Sequence, residues 1–134
     1  MYEFHAWVGL SDSTFESDYD QIDVVVAQLS ELIGKRVDPG WSAVSFAVQN
    51  FNGQYFFVAN GSVNRRRDEA ALLEELLALI AASLPGSWGL VYDRDDAMPV
   101  PPGPNAYRAR VIARGAISEQ PDPFLTPINP VIED

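Results

Sequence analysis

The chain has 134 residues, with nine basic against nineteen acidic side chains and a net charge of −10. That length is the size of one domain, able to bury roughly two-thirds of its unfolded surface without cross-links. The absence of cysteine excludes disulfides and thiolate metal sites, and the acidic balance argues against a nucleic-acid partner, which clustered Lys and Arg would serve.

The excess of carboxylates suits a basic macromolecular partner, or solubility alone. Met1-Tyr2-Glu3 leads straight into a strand pattern with neither a basic start nor an apolar h-region, so no signal peptide is expected. No run approaches the roughly 18 apolar residues of a membrane span. The expectation is a soluble, cytoplasmic protein with no membrane partner.

Residues 2–10 alternate. Tyr2, Phe4, Ala6, Val8 and Leu10 share one face and Glu3, His5, Trp7 and Gly9 the other, the pattern of a half-buried strand. After a polar loop, Ser17 with Asp20 marks a helix start. Tyr19, Ile22, Val25, Val26, Leu29, Leu32 and Ile33 then form one apolar stripe, which Gly34 is expected to end. Residues 43–49 and 54–59 are two alternating runs around Asn52-Gly53, the pair that accepts positive φ in a tight hairpin. Asn60-Gly61-Ser62 is expected to break the second run as a turn.

Arg65-Arg66-Arg67 precede Asp68, the expected cap of a second helix, and read as a solvated run because the helix dipole opposes a phosphate role for them. Leucine or isoleucine at 72, 73, 76, 77, 79, 80 and 84 makes this helix the more deeply buried one. The stretch 83–96 organises the rest. Pro85-Gly86 must end the helix, 88–93 reads as a core strand, and Asp93-Arg94-Asp95-Asp96 as an acidic turn. The proline-rich run 99–104 is a stiff connection. Residues 106–114 alternate again, with Tyr107, Ala109, Val111 and Ala113 expected inward and Arg108, Arg110, Arg114 and Ile112 opposite. Gly115 turns the chain, Ile117 adding at most a residue or two of strand. Residues 116–134 are expected to form an irregular acidic tail, pinned down by Phe124, Leu125, Ile128, Val131 and Ile132.

The order β-α-β-β-α-β-β predicts a single α+β domain, 1–134. Its antiparallel sheet has about five strands, with two helices packed on one face in a split βαβ arrangement.

Few residues advertise chemistry. The acidic turn lacks calcium-loop spacing, since Ala97 stands where a third ligand belongs, so no metal is expected. It reads either as a solvated turn facing Arg108 or Arg110, or as a patch facing a partner. His5 is the only histidine, with no activated serine or thiol pattern to serve. With Glu3 it could form an acid/base pair; packed beside Trp7 it is a satisfied sheet residue. An open sheet face carrying Trp7, His5 and arginines could also take RNA, but the sequence signature for that is missing.

Several short motifs in order resemble the immunity protein 7 family. They are Tyr2-Glu3-Phe4-His5-Ala6-Trp7 at the start, and Pro85-Gly86-Ser87-Trp88-Gly89-Leu90 with Tyr92 and Asp95-Asp96. Asn105, Tyr107, Val111 and Arg114-Gly115 follow, then Asp122-Pro123-Phe124-Leu125, Pro127, Pro130 and Ile132-Glu133-Asp134. The proline-rich insert at 99–104 and the alanine-heavy second helix depart from the pattern. The resemblance implies a cytoplasmic antidote in a bacterial polymorphic toxin system, with a cognate toxin domain as partner and no catalytic residues or cofactor.

From charge and position, the candidate contacts to a basic, nuclease-like or similar toxin are an acidic rim with aromatic anchors. The rim comprises Asp93, Asp95, Asp96, Glu119, Asp122, Glu133 and Asp134; the anchors are Trp88 and Tyr92. The competing reading is a small enzyme, or a ligand- or RNA-binding domain, working from the open sheet face around His5.

Overall fold

The computed structural model describes residues 1–13, 19–97 and 103–127. The expectations for Ser17, for 99–102 and for the tail beyond 127, including Glu133 and Asp134, lie outside the described residues. Among the described residues eight elements follow one another: β1 (Tyr2–Gly9), α1 (Tyr19–Arg36), β2 (Val44–Phe51), β3 (Gln54–Val63), α2 (Asp68–Ser83), β4 (Trp88–Asp95), β5 (Arg108–Ala113) and β6 (Ala116–Gln120). The strands form one sheet in the order β2-β3-β1-β4-β5-β6, every neighbouring pair antiparallel. Each helix therefore connects two parallel strands with another strand inserted between them, which is the split βαβ arrangement. The sheet has six strands rather than about five. The sixth is built from residues at the head of the expected irregular tail, because Arg114 and Gly115 both take positive φ and close a tight turn.

Both helices cover one face. Tyr2, Phe4, Ala6, Val8 and Leu10 are buried against Ile22, Val25 and Leu29 of α1 and the leucines of α2. Leu72, Leu73, Leu76, Leu77, Ile80 and Leu84 are fully buried, each worth about 2 kcal/mol of transfer free energy. The hairpin turns as expected, with Asn52 and Gly53 both at positive φ.

Other local expectations give way to packing. Helix α1 continues through Gly34 to Arg36. An exposed glycine costs at most ~1 kcal/mol, and Lys35 and Arg36 suit the negative end of the dipole. Strand β3 runs through Asn60-Gly61-Ser62 to Val63. Gly61 makes room there for the Phe4 ring, which a Cβ would meet at 2.6 Å. Asp68 is the first residue of α2 rather than its cap; Arg67 flanks the helix without a side-chain cap.

The largest revision concerns β5. Register places Arg108 opposite Asp93 and Arg110 opposite Val91, so Arg108, Arg110 and Ile112 face the helices. Tyr107, Ala109 and Val111 lie on the open side, the reverse of the expected assignment. Asp93, only 2% exposed, is the physical reason. It takes Arg108 Nε at 2.8 Å and the Tyr2 hydroxyl at 2.7 Å, with Arg110 Nη2 at 3.5 Å. Arg110 also donates to Glu74 of α2 at 2.8 Å. Burial and the Asp93 charge push the Tyr2 phenol far up, keeping it a donor. Asp93→Ala leaves two guanidinium groups without their shared counter-ion and should cost about 3–5 kcal/mol. Urea unfolding of the two proteins measures this, and an unmoved midpoint would contradict it.

Candidate functional site

The face of the sheet away from the helices carries the even-numbered residues of β3 and β4 and the odd-numbered residues of β1. At one end, aromatic side chains meet ring to ring across four strands, from the last residue of β2 to the first of β4. Phe51 lies 5.9 Å from Phe56, Phe56 6.0 Å from Trp88, and Trp88 5.7 Å from Trp7. Phe51 is 57% exposed, and Trp7 and Trp88 are each 45% exposed. Gly9 makes the row possible. It pairs with Trp88, and a Cβ on it would stand 2.5 Å from the indole. With no side chain there, the Trp88 ring crosses β1 and reaches Phe56 on β3.

The middle of the face is polar and internally satisfied. Glu3 receives Arg94 Nε at 3.0 Å, the Tyr107 hydroxyl at 3.0 Å and His5 Nε2 at 2.9 Å. His5 Nδ1 points at Asn60 Oδ1, also at 2.9 Å. Partial burial disfavours the Glu3 charge, but bonds from His5, Arg94 and Tyr107 outweigh it and hold the carboxyl below its usual range. Partial burial likewise works against a charged His5, and Glu3 and Asn60 outweigh it, raising the ring above its ordinary value. The Glu3–His5 pair is thus real, but it serves as a clamp from β1 to β3 and β4. The cleft of about 500 Å³ lined by Trp41, Val44, Arg65 and Glu69, among others, includes neither residue.

Beyond the clamp, Tyr92 packs edge-on to Tyr107 at 5.9 Å, and the segment after β6 returns over them. The Tyr92 hydroxyl donates a hydrogen bond to the Asp122 carboxylate, and burial and then that charge raise the phenol. Trp88, Tyr92 and Asp122 therefore do share the open side.

The other candidates divide. Asp93 is buried on the helix side, where strand alternation puts it with Gly89 and Val91, and it is removed from the accessible rim. Asp95, half-buried, accepts the Ala97 N–H at 3.0 Å, and exposed Asp96 pairs with the Met1 amine. Asp95, at the far end of β4, stands about 23 Å from Trp88 at 3.3 Å per residue, and Asp96 follows it, so the acidic turn and the aromatic row are separate patches. Glu119 is exposed on the edge strand β6. Among the described residues no group of three His, Cys, Asp or Glu could hold a metal ion, and no helix is long and apolar enough to cross a membrane. The sequence does not single out Phe51 or Phe56 as contacts and offers Trp7 only in the alternative RNA reading; the glycine at position 9 within an aromatic-bearing strand is the available signal.

Fold and face together define a small α+β domain with one sheet face covered by both helices and the other, free of helices among the described residues, carrying an aromatic row. The model of the immunity protein 7 family matches residues 1–134, and the chain belongs to that family. Membership makes it an immunity protein directed against a toxin. No curated protein and no solved structure matches the chain.

The clamp has a pH signature. Because the folded His5 pKa lies above its ordinary value of about 6.5, its stabilisation is complete below that pH and lost as pH rises through the folded pKa. The Glu3 contribution has the opposite sense, present above about pH 4.5 and lost as pH falls through its lowered pKa. The stability gap between wild type and His5→Gln should be widest near about pH 6 and shrink by about pH 9. A gap equal at both values would exclude the ion pair.

Proposed function

We propose that this immunity protein neutralises its toxin by stoichiometric contact through the open sheet face. The aromatic row is the anchor, and carboxylates steer a basic toxin domain toward it. The observation that carries the reading is the ring-to-ring row Phe51, Phe56, Trp88 and Trp7, three of its members about half exposed. Soluble proteins rarely show contiguous apolar patches without a partner to cover them. Aromatic side chains with two rotatable bonds also lose little entropy on burial, which is why they dominate binding energy.

Charge supports the same reading. Arg94, Arg108 and Arg110 are spent on Glu3, Asp93 and Glu74. Those pairs are neutral, so the net −10 is expressed by the remaining surface. A field of that sign accelerates encounter with a cationic partner by roughly 10–1,000-fold at low salt. An inhibitory contact of ordinary size buries about 1,600 Å² in total, centred here on the aromatic row, with the carboxylates acting at a distance from it. Asp95, Asp96 and Glu119 act here as steering charges and Trp88 as an anchor.

Co-expression with the toxin domain encoded beside it should yield a stable 1:1 pair. Trp88→Ala combined with Trp7→Ala should weaken that pair at least about 30-fold, through faster dissociation. Asp95→Lys with Asp96→Lys should slow association and flatten its salt dependence while changing dissociation little. Surface plasmon resonance separates the two effects. Protection of cells without a detectable complex, or catalytic turnover of the toxin's product, would defeat the proposal.

A further inference from the structure

A single carboxylate builds the bend that follows β6. Asp122 Oδ1 accepts the Phe124 N–H at 3.0 Å. Its Oδ2 accepts the Leu125 N–H at 3.1 Å and the Thr126 hydroxyl at 2.8 Å. Thr126 Oγ1 in turn accepts the Tyr107 N–H at 3.0 Å, tying the bend to the chain entering β5. Backbone and side-chain donors converging on one Asp fix such a turn without help from a core. The sequence suggests that Phe124 and Leu125 pin the tail, and the structure assigns them the opposite position. Phe124 is 80% exposed, the most exposed large hydrophobic side chain among the described residues, and Leu125 is 56% exposed. Polar bonds hold the bend, and the two apolar side chains project from it.

We propose that Phe124 and Leu125 are a pre-organised knob that inserts into an apolar socket on the toxin domain; this rests on the reading that the protein acts by direct contact. A turn already rigid in the free protein loses little entropy on docking, so its side chains can act as anchors. The rim of the socket is basic. The concavity of about 400 Å³ beside the bend is lined by Glu119 and Asp122 with one cation, Arg108, which is already turned onto Asp93. The same charges disfavour a second copy of this chain as occupant, since each knob would bring Glu119 against another molecule of net charge −10. Asp122 is then a positioning residue, its carboxylate spent on the bend.

The test compares the full chain with its Phe124→Ala, Leu125→Ala double variant, using the purified toxin domain encoded beside it as the probe. Affinity should fall at least about 30-fold, mainly in dissociation rate, while the melting temperature of the free variant stays at the wild-type value. Affinity within about twofold of wild type would overturn the knob and leave the contact reading standing. A lowered melting temperature in the free variant would also overturn it, because the side chains would then be holding the tail. So would a wild-type dimer that the substitutions dissolve. Failure of the wild-type chain itself to bind would instead remove the contact reading, and the knob with it.

Discussion

The buried carboxylate of Asp93 is the constraint from which the layout of this protein follows. It sits on the central strand β4 with Tyr2 of β1 and both Arg108 and Arg110 of β5 around it, and Arg110 reaches on to Glu74 of α2. Removing charges from water costs several kcal/mol per ion in real proteins, and only good geometry with further hydrogen bonds offsets it. Here the Asp93 charge is offset by a cluster spanning three strands and a helix, with Arg110 Nε and Nη2 left without a hydrogen bond, so these elements must be in register before Asp93 is paired. The cluster specifies β5 more than it stabilises the fold. It fixes which face of that strand looks at the helices, and thereby sends Tyr107, Ala109 and Val111 to the other side.

That choice shapes the open face. With Tyr107 turned outward, its hydroxyl completes the Glu3 clamp and its N–H anchors the bend built by Asp122. The clamp in turn strings Glu3, His5, Asn60 and Arg94 across three neighbouring strands and leaves the middle of the face internally paired. Apolar surface is consequently left at the two flanks, the aromatic row over Gly9 on one and the Phe124–Leu125 bend on the other. Two helices can cover only one side of a sheet, and the uncovered side of an antiparallel sheet is ordinarily polar. An aromatic row and a projecting apolar bend on that side depart from the rule in the way a binding surface does.

For an immunity protein, this division of labour is physically economical. The only histidine is held at both ring nitrogens, and Arg108 and Arg110 both turn to the buried Asp93 carboxylate.

Much of this was legible in the residues. Alternation in β1 assigned both of its faces correctly, because all its large apolar groups but Trp7 fall on one parity. Asn52-Gly53 announced its hairpin, since few other pairs accept two positive φ values. The leucines of α2 and the Pro85-Gly86 stop delimited the buried helix, and ordered short motifs disclosed the family. What sequence alone left undecided is of one physical kind. Period-two alternation says that the faces of a strand differ. Where both parities of β5 hold apolar residues, it does not say which one meets the helices. That depends on Asp93 being buried across the ladder, a fact of register. Gly61 is a packing position rather than a turn for the same reason: only the neighbouring strand brings the Phe4 ring to it. The bend at Asp122 follows suit, because counting apolar residues predicts a pinned tail, while hydrogen bonds too local to show in any periodicity hold it instead and leave Phe124 in water. Local propensity and pattern determined the elements of this protein; tertiary register decided which side of each element the world meets, because only register settles where buried charge is paired.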